Sequence, residues 1–352
     1  MPSLFKLVLG TLIRGVPKPW DYIPIRAVMV NGYDLYQSGL FERAKNEGIR
    51  SILGVSEDVE IWFDSGGYQF LSRGISINVQ EIAKIYSCIN ADYYISLDVP
   101  PPPKCSLEEK CRRIAKCIEN FMKLKSLLPS LKDRIIPVYH FSYGQLLRNQ
   151  VKAYEDIPLI SVGGLIPFIM QRAGKYSRLK AVVFLALIRK LESGKVIHAL
   201  GLASHIMIPL LKRLSINSSD TQTWRHKAAY GKIIIPGMGE RHISSRKINF
   251  GRLYVQDEEY KLLVHYINVS GLNLKINDLR NSFIARALFN AWSLYYFSTN
   301  NVDSKIGYSS VFKKIHGLVH KLMKMSVAEL EELLKAMESN KLASNFNLLE
   351  SG

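Results

Sequence analysis

The sequence predicts an α/β protein: a TIM-type (β/α)8 barrel carrying a helical appendage toward its C-terminal end. Three observations predict it. Eight short apolar runs of strand length occur before residue 236, and amphipathic segments with helical periodicity separate most of them. After about residue 235 the texture changes to loop and then to long helical stretches. Strands alternating with helices call for parallel pairing through crossover connections, and eight such units suit a closed barrel better than an open sheet. The expected division is residues 1–235 as the barrel core and 236–352 as a loop and helical region packed on it.

In chain order, the expected strands are IRAVMV (25–30), RSILGV (50–55), EIWFD (60–64), DYYISLD (92–98), RIIPVYH (134–140), PLISVG (158–163), KVIHALG (195–201) and SINSSD (215–220). The helices between them include VQEIAKIYSCI (79–89), the long segment 106–128 and ASHIMIPLLKRL (203–214). Ser106 is positioned as the N-cap of the second, with Glu109 completing a capping box. AVVFLALI (181–188) is the densest apolar stretch, too short to span a membrane, and reads as a buried helix. The first twenty residues do not read as a secretion leader, because Lys6 interrupts the apolar run, Arg14 closes it and no small-residue cleavage pattern follows. Beyond 235, residues 235–255 read as loop and short strand. Helices are expected near 257–270, 276–297 and 305–339, and a frayed end over the last ten residues.

Composition bounds the function. The 352 residues carry 47 Lys+Arg against 30 Asp+Glu, a formal charge of +17, with 47% hydrophobic and 22% charged residues. That balance excludes disordered and collagen-like chains and provides ample core. Cys88, Cys105, Cys111 and Cys117 are too few for a disulfide scaffold and lack the paired spacing of a zinc site, so a reduced, cytoplasmic setting is expected and no metal. The positive charge nominates nucleic acid as partner, the bland reading being a solvated basic surface. Its local clusters are RHISSRK (241–247) and KKIHGLVHKLMK (313–324).

Barrel chemistry sits at the C-terminal ends of the strands. There the predicted strands present Asp64, Asp98, His140, Gly163-Gly164, Gly201 and Asp220. A single Asp after a strand is usually a helix cap, but three on separate strands of one barrel form a set. Two separated carboxylates are the apparatus of glycosidic-bond chemistry, one attacking the anomeric carbon and the other handling the leaving group's proton. Gly66 and Gly67 after Asp64 let backbone approach a flat ligand. His198 and His205, near a core strand, read as packed and hydrogen-bonded.

The run Phe63-Asp64-Ser65-Gly66-Gly67-Tyr68-Gln69 resembles the DSGGFQ signature of the tRNA-guanine transglycosylases, which exchange guanine in nucleic acid for a 7-deazaguanine on a TIM barrel. SLDVP (96–100) is similar to the segment carrying that family's base-recognising Asp, here Asp98. SVGGL (161–165) matches its Gly-Gly-Leu stretch, HALGLASH (198–205) its phosphate-side strand, and SSDTQTW (218–224) the site of its nucleophilic Asp, here Asp220. The resemblance spans residues 25–300. Tyr68 replaces Phe conservatively, whereas Val138-Tyr139-His140 replaces the Val-Gln-Gly whose Gln reads the base. No Cys follows Cys117, and Asn290 stands near where the family's zinc-binding His would fall, so the zinc ligands are absent. A basic, compact, zinc-free chain looks most like the DpdA branch, which inserts a 7-deazaguanine such as preQ0 into DNA within modification systems of several proteins.

The resemblance implies that Asp220 is the nucleophile and Asp64 the general acid/base. It implies that Asp98, Ser65, Gly66, Gly67, Tyr68, Gln69, His140, Gly163, Gly164 and Gly201 contact the substrate, with no cofactor. DNA is the expected partner, with no membrane. The same chemistry on tRNA, or a non-catalytic subunit of such an enzyme, are the competing readings. Lys212, Arg213, Arg225 and Lys227, close to Asp220 in sequence, are candidates for holding phosphates.

Overall fold

In the computed structural model, residues 5–245, 253–302 and 310–339 are described. Eleven strands are found among them: β1 Lys6–Gly10, β2 Ala27–Asn31, β3 Glu60–Asp64, β4 Tyr93–Ile95, β5 Ile135–Ile136, β6 Val138–Tyr139, β7 Leu159–Val162, β8 Val196–Ala199, β9 Ser218–Thr221, β10 Lys232–Ile235 and β11 Gly239–His242. The first nine form one parallel sheet in the order β5-β4-β3-β2-β1-β9-β8-β7-β6. The two ends of that order, β5 and β6, are separated in sequence only by Pro137, whose carbonyl accepts from Ser161 of β7. The sheet is therefore a nearly closed barrel of TIM type, with helices following the strands.

Seven of the eight expected strand segments hold, and one does not. RSILGV is the helix Ile49–Leu53, which buries Ile49 and Leu53 and ends at Gly54 with φ +63°. That left-handed glycine closes the segment as a helix C-cap. The missing strand is β1, drawn from the segment examined as a leader. Lys6 opens it and makes an ion pair with Glu60 of β3 at 2.5 Å, and β1 joins β2 to β9. RIIPVYH is divided because Pro137 has no N–H to give to a ladder.

The helices largely follow their patterns. Ser106 caps Leu107–Leu127 by accepting from the Glu109 N–H, but the Glu109 carboxylate turns outward to Arg112 and Arg113 and does not close the box. Residues 181–188 are all buried within the helix Ser177–Leu191. The stretch 203–214 is helical over Met207–Arg213. Residues 276–297 form two helices, Ile276–Asn281 and Phe283–Thr299, because Ser282 caps the second with its hydroxyl. Residues 310–339 likewise divide, into Ser310–Lys324 and Val327–Glu338, at the Ser326–Glu329 capping box. The segment 235–255 includes β11, which pairs antiparallel with β10. The last ten residues lie outside the described ones.

One continuous buried cluster runs from Leu9 and Val28 through Phe184 to Phe289, Leu294 and Leu334. Each large side chain buried in it contributes about 1.5–3 kcal/mol. A second, smaller cluster of Val8, Ala27, Met29, Trp62, Ile95, Ile136 and Val138 fills the barrel. No helix among the described residues is long and apolar enough to cross a membrane.

Candidate active site

Side chains alternate across a strand, so residues two apart share a face. Trp62 belongs to the barrel interior, which puts Glu60 and Asp64 inside as well, at the two ends of β3. In β9 the same rule places Ser218 and Asp220 on one face. His198 of β8 is fully buried and stacks on Trp62 with ring centroids 4.6 Å apart. The interior therefore ends in carboxylates at the mouth and is closed at the other end by Lys6 and Glu60.

Asp220 is held at one oxygen. Its Oδ1 accepts from the Gly201 N–H at 2.6 Å and lies 3.2 Å from His198 Nε2. The other ring nitrogen, Nδ1, is 2.9 Å from Ser218 Oγ. With the carboxylate ionised, Nε2 carries the proton and Nδ1 accepts from the serine hydroxyl. Ser, His and Asp are thus joined as in a hydrolase triad, but the serine is buried in β9 and the carboxylate faces the mouth. Only the acid is placed to react.

Asp64 ends β3, and its carboxylate accepts from the Gly66 N–H at 3.2 Å. Burial, and then the nearby charge of Asp220, push its pKa up to about 6. The turn that follows admits only glycine at Gly66: φ is +72°, and a Cβ there would stand 2.7 Å from the Tyr33 N atom. Gly67 begins the helix Gly67–Ser72, which carries Gln69, half-buried, and Tyr68, whose side chain lies outside the described residues. Ser65 is fully buried, and its hydroxyl accepts from the Gly67 N–H at 3.3 Å, bracing the turn.

Asp98 follows β4, where the helix Leu107–Leu127 secures the chain on either side. Asn120 donates to Leu97 O at 3.1 Å, and Cys117 Sγ accepts from the Val99 N–H at 3.2 Å. Burial and the charge of Asp64 push the Asp98 pKa up to about 7. Its Oδ2 lies 3.4 Å from His140 Nε2. His140 is completely buried, its pKa is driven down to about 3 by that burial, and neither ring nitrogen has a hydrogen-bond partner. Gln150 fixes the His140 backbone by accepting from its N–H and donating to its carbonyl. Gly163 and Gly164 face the same ring: a Cβ on Gly164 would lie 3.3 Å from His140 Nδ1. A cavity of about 170 Å³ adjoins Asp98, lined also by Gly67, Asn120 and Lys123.

The structure thus brings Asp64, Asp98, Asp220, His140, Gly66, Gly67, Gly163, Gly164 and Gly201 to one end of the barrel. The cations expected around Asp220 separate. Lys212 and Arg213 line a cleft of about 1070 Å³ with Phe5, Val196 and Asn217, at the N-terminal ends of the strands and opposite the mouth. Lys212 there donates to the Asn300 carbonyl at 2.9 Å. Lys227 makes an ion pair with Glu240 at 2.6 Å. Arg225 lies over the Trp224 ring and beside Asp34. Within the cluster 241–247, Arg241 is buried in a bidentate pair with Glu259 and His242 is buried too. Arg246 and Lys247 lie outside the described residues.

Asn290 spends its amide on backbone, accepting from the Ile234 N–H and donating to the Trp224 and Lys232 carbonyls. Among the described residues no three His, Cys, Asp or Glu side chains converge as metal ligands. His198 reads from sequence as a packed, hydrogen-bonded histidine and is one. What that reading lacked is its partner, the Asp220 carboxylate. Strand alternation in KVIHALG and SINSSD was the available signal for this.

No protein-family model matches the chain. It is 27% identical over 298 residues to uncharacterized protein 306 of Sulfolobus islandicus rod-shaped virus 1, an alignment covering 83% of this chain and 89% of that protein.

Proposed function

We propose that the chain is a nucleic-acid base transglycosylase that exchanges guanine in DNA for a 7-deazaguanine of the preQ0 type. The observation that carries this reading is the convergence of three acids with different environments at one barrel mouth. Asp220 is fixed through Oδ1, leaving Oδ2 for attack, while Asp64 and Asp98 retain protons toward neutral pH. Pairs of carboxylates whose environments drive them apart are how acid and nucleophile roles divide.

In the proposed cycle, Asp220 Oδ2 attacks C1′ of an extruded deoxyguanosine, forming a C–O bond as the C1′–N9 bond breaks. Asp64 gives its proton to the departing guanine and then takes one from the incoming base, whose nitrogen displaces Asp220. Two inversions preserve the β configuration. Asp98, once it has given up its proton, accepts from the guanine-like N1–H and amino group. Neutral His140, with one ring donor, meets the keto oxygen in place of the family's Gln. Gly163 and Gly164 bring backbone against the base.

On this reading β5 and β6 are one strand interrupted at Pro137, completing a (β/α)8 barrel over residues 1–235, with 236–352 as its appendage. The charge of +17 supports a polyanionic partner. The test is transfer of labelled preQ0, and of labelled guanine, into duplex DNA and into unmodified tRNA. Label is expected in DNA, with a covalent protein–DNA adduct, and both should vanish in Asp220→Asn. Exchange by that variant at near the wild-type rate would remove the nucleophile. Label in tRNA alone would move the substrate, and label in neither would favour a non-catalytic role.

A further inference from the structure

Two segments beside Asp220 expose apolar side chains that nothing in the proposed chemistry uses. Sheet order puts them on opposite sides of it: β9 lies between β8 and β1, with β7 next beyond β8. After β1, residues Leu12 and Val16 are 42% and 57% exposed. After β7, Ile166 and Met170 are 47% and 56% exposed.

One segment reaches the reacting acid, and the other reaches Arg225, five residues beyond it in sequence. Ile166 Cδ1 lies 2.7 Å from where a Cβ on Gly201 would stand, and Gly201 donates to Asp220. Gly15, between Leu12 and Val16, would place a Cβ 2.5 Å from an Arg225 guanidinium nitrogen. The segments are also cationic throughout. Residues 11–18 include Arg14 and Lys18, residues 165–178 include Arg172, Lys175 and Arg178, and neither holds an Asp or Glu. Arg14 and Arg172 are exposed.

We infer that these two lips are a wedge for duplex DNA. The cations hold phosphates on either side of the mouth, and the apolar side chains, Ile166 and Met170 foremost, fill the stack vacated by the extruded base. A surface that only neutralised phosphates would not need exposed Ile, Met, Leu and Val among its cations. Apolar wedges that unstack base steps are what such side chains supply. A base inside a duplex cannot reach a buried carboxylate at a barrel mouth without leaving the stack. The inference rests on the transglycosylase reading for its substrate, but the extrusion step is measurable without chemistry.

The experiment uses the full chain and a DNA duplex with 2-aminopurine at the target position, following fluorescence as the base unstacks, with anisotropy reporting binding. Wild type should raise the fluorescence. The double variant Ile166→Ala with Met170→Ala should still bind through its cations and lose the rise by at least about tenfold. Val264→Ala, an exposed apolar residue on the helix Asp257–Ser270, should change neither, and thermal unfolding shows whether each variant is folded. A full rise in the double variant, no rise in wild type, or a rise with RNA duplex only would overturn the wedge. Extrusion without labelled-base exchange would keep the wedge and sink the transglycosylase.

Discussion

At the scale of single residues, Asp64 and Asp98 sit in environments that oppose ionisation, and this makes them a source of instability. Asp64 ionises at about 6 in the folded chain against an ordinary value of 3.8, so the folded state binds that proton more tightly. Its contribution favours folding below about pH 4 and is lost as pH rises through 6. Asp64→Asn, neutral throughout, should therefore be more stable than wild type at pH 8 by about 1–3 kcal/mol, with no difference at pH 4. Urea unfolding at the two pH values measures it, and a pH-independent gap would contradict the assignment. His198 is the second residue-scale case. His198→Phe keeps a ring against Trp62 but removes the bonds to Asp220 and Ser218. On the transglycosylase reading proposed above, turnover should drop about 100-fold while nucleic-acid affinity stays put, since only the aim of Asp220 is lost. An unchanged kcat would reduce His198 to packing.

At the scale of elements, a few side chains decide how segments meet. Asn290 joins the helix Phe283–Thr299 to β10 and to the helix Thr223–Ala229 through three buried hydrogen bonds. Asn290→Ala should cost about 3 kcal/mol, read from the denaturation midpoint, because it strands buried backbone groups. A loss below 1 kcal/mol would mean that the hairpin is held by its Arg241–Glu259 pair instead. Element type was legible where the signal was local. Ser106 marks a helix start, and alternating runs such as EIWFD mark strands. It was illegible where non-local pairing decides. KLVLG has too little pattern to announce itself, and it is a strand because β2 and β9 each offer it an edge.

For the whole molecule, the charge of +17 makes a prediction of its own. Affinity for duplex DNA should fall linearly on a log–log plot against salt. With about six phosphates neutralised, that is roughly a thousandfold between 50 and 200 mM. A flat salt dependence would take the phosphates out of the interface. The sequence could not say where those charges act. Lys212 and Lys227, neighbours of Asp220 along the chain, are occupied with a carbonyl and a carboxylate, whereas Arg14 and Arg172, far from it in sequence, stand on the segments that flank it.

By itself, then, the sequence determined which residues end the strands and that three of those on separate strands are acids, because strand length, alternation and turn residues are written in local order. Only the tertiary structure decided that β1 completes the sheet, that His198 and Ser218 hold one oxygen of Asp220, and that Asp64 and Asp98 keep their protons toward neutrality. Those properties arise from burial and from charges brought close by folding, which spacing along a chain does not encode.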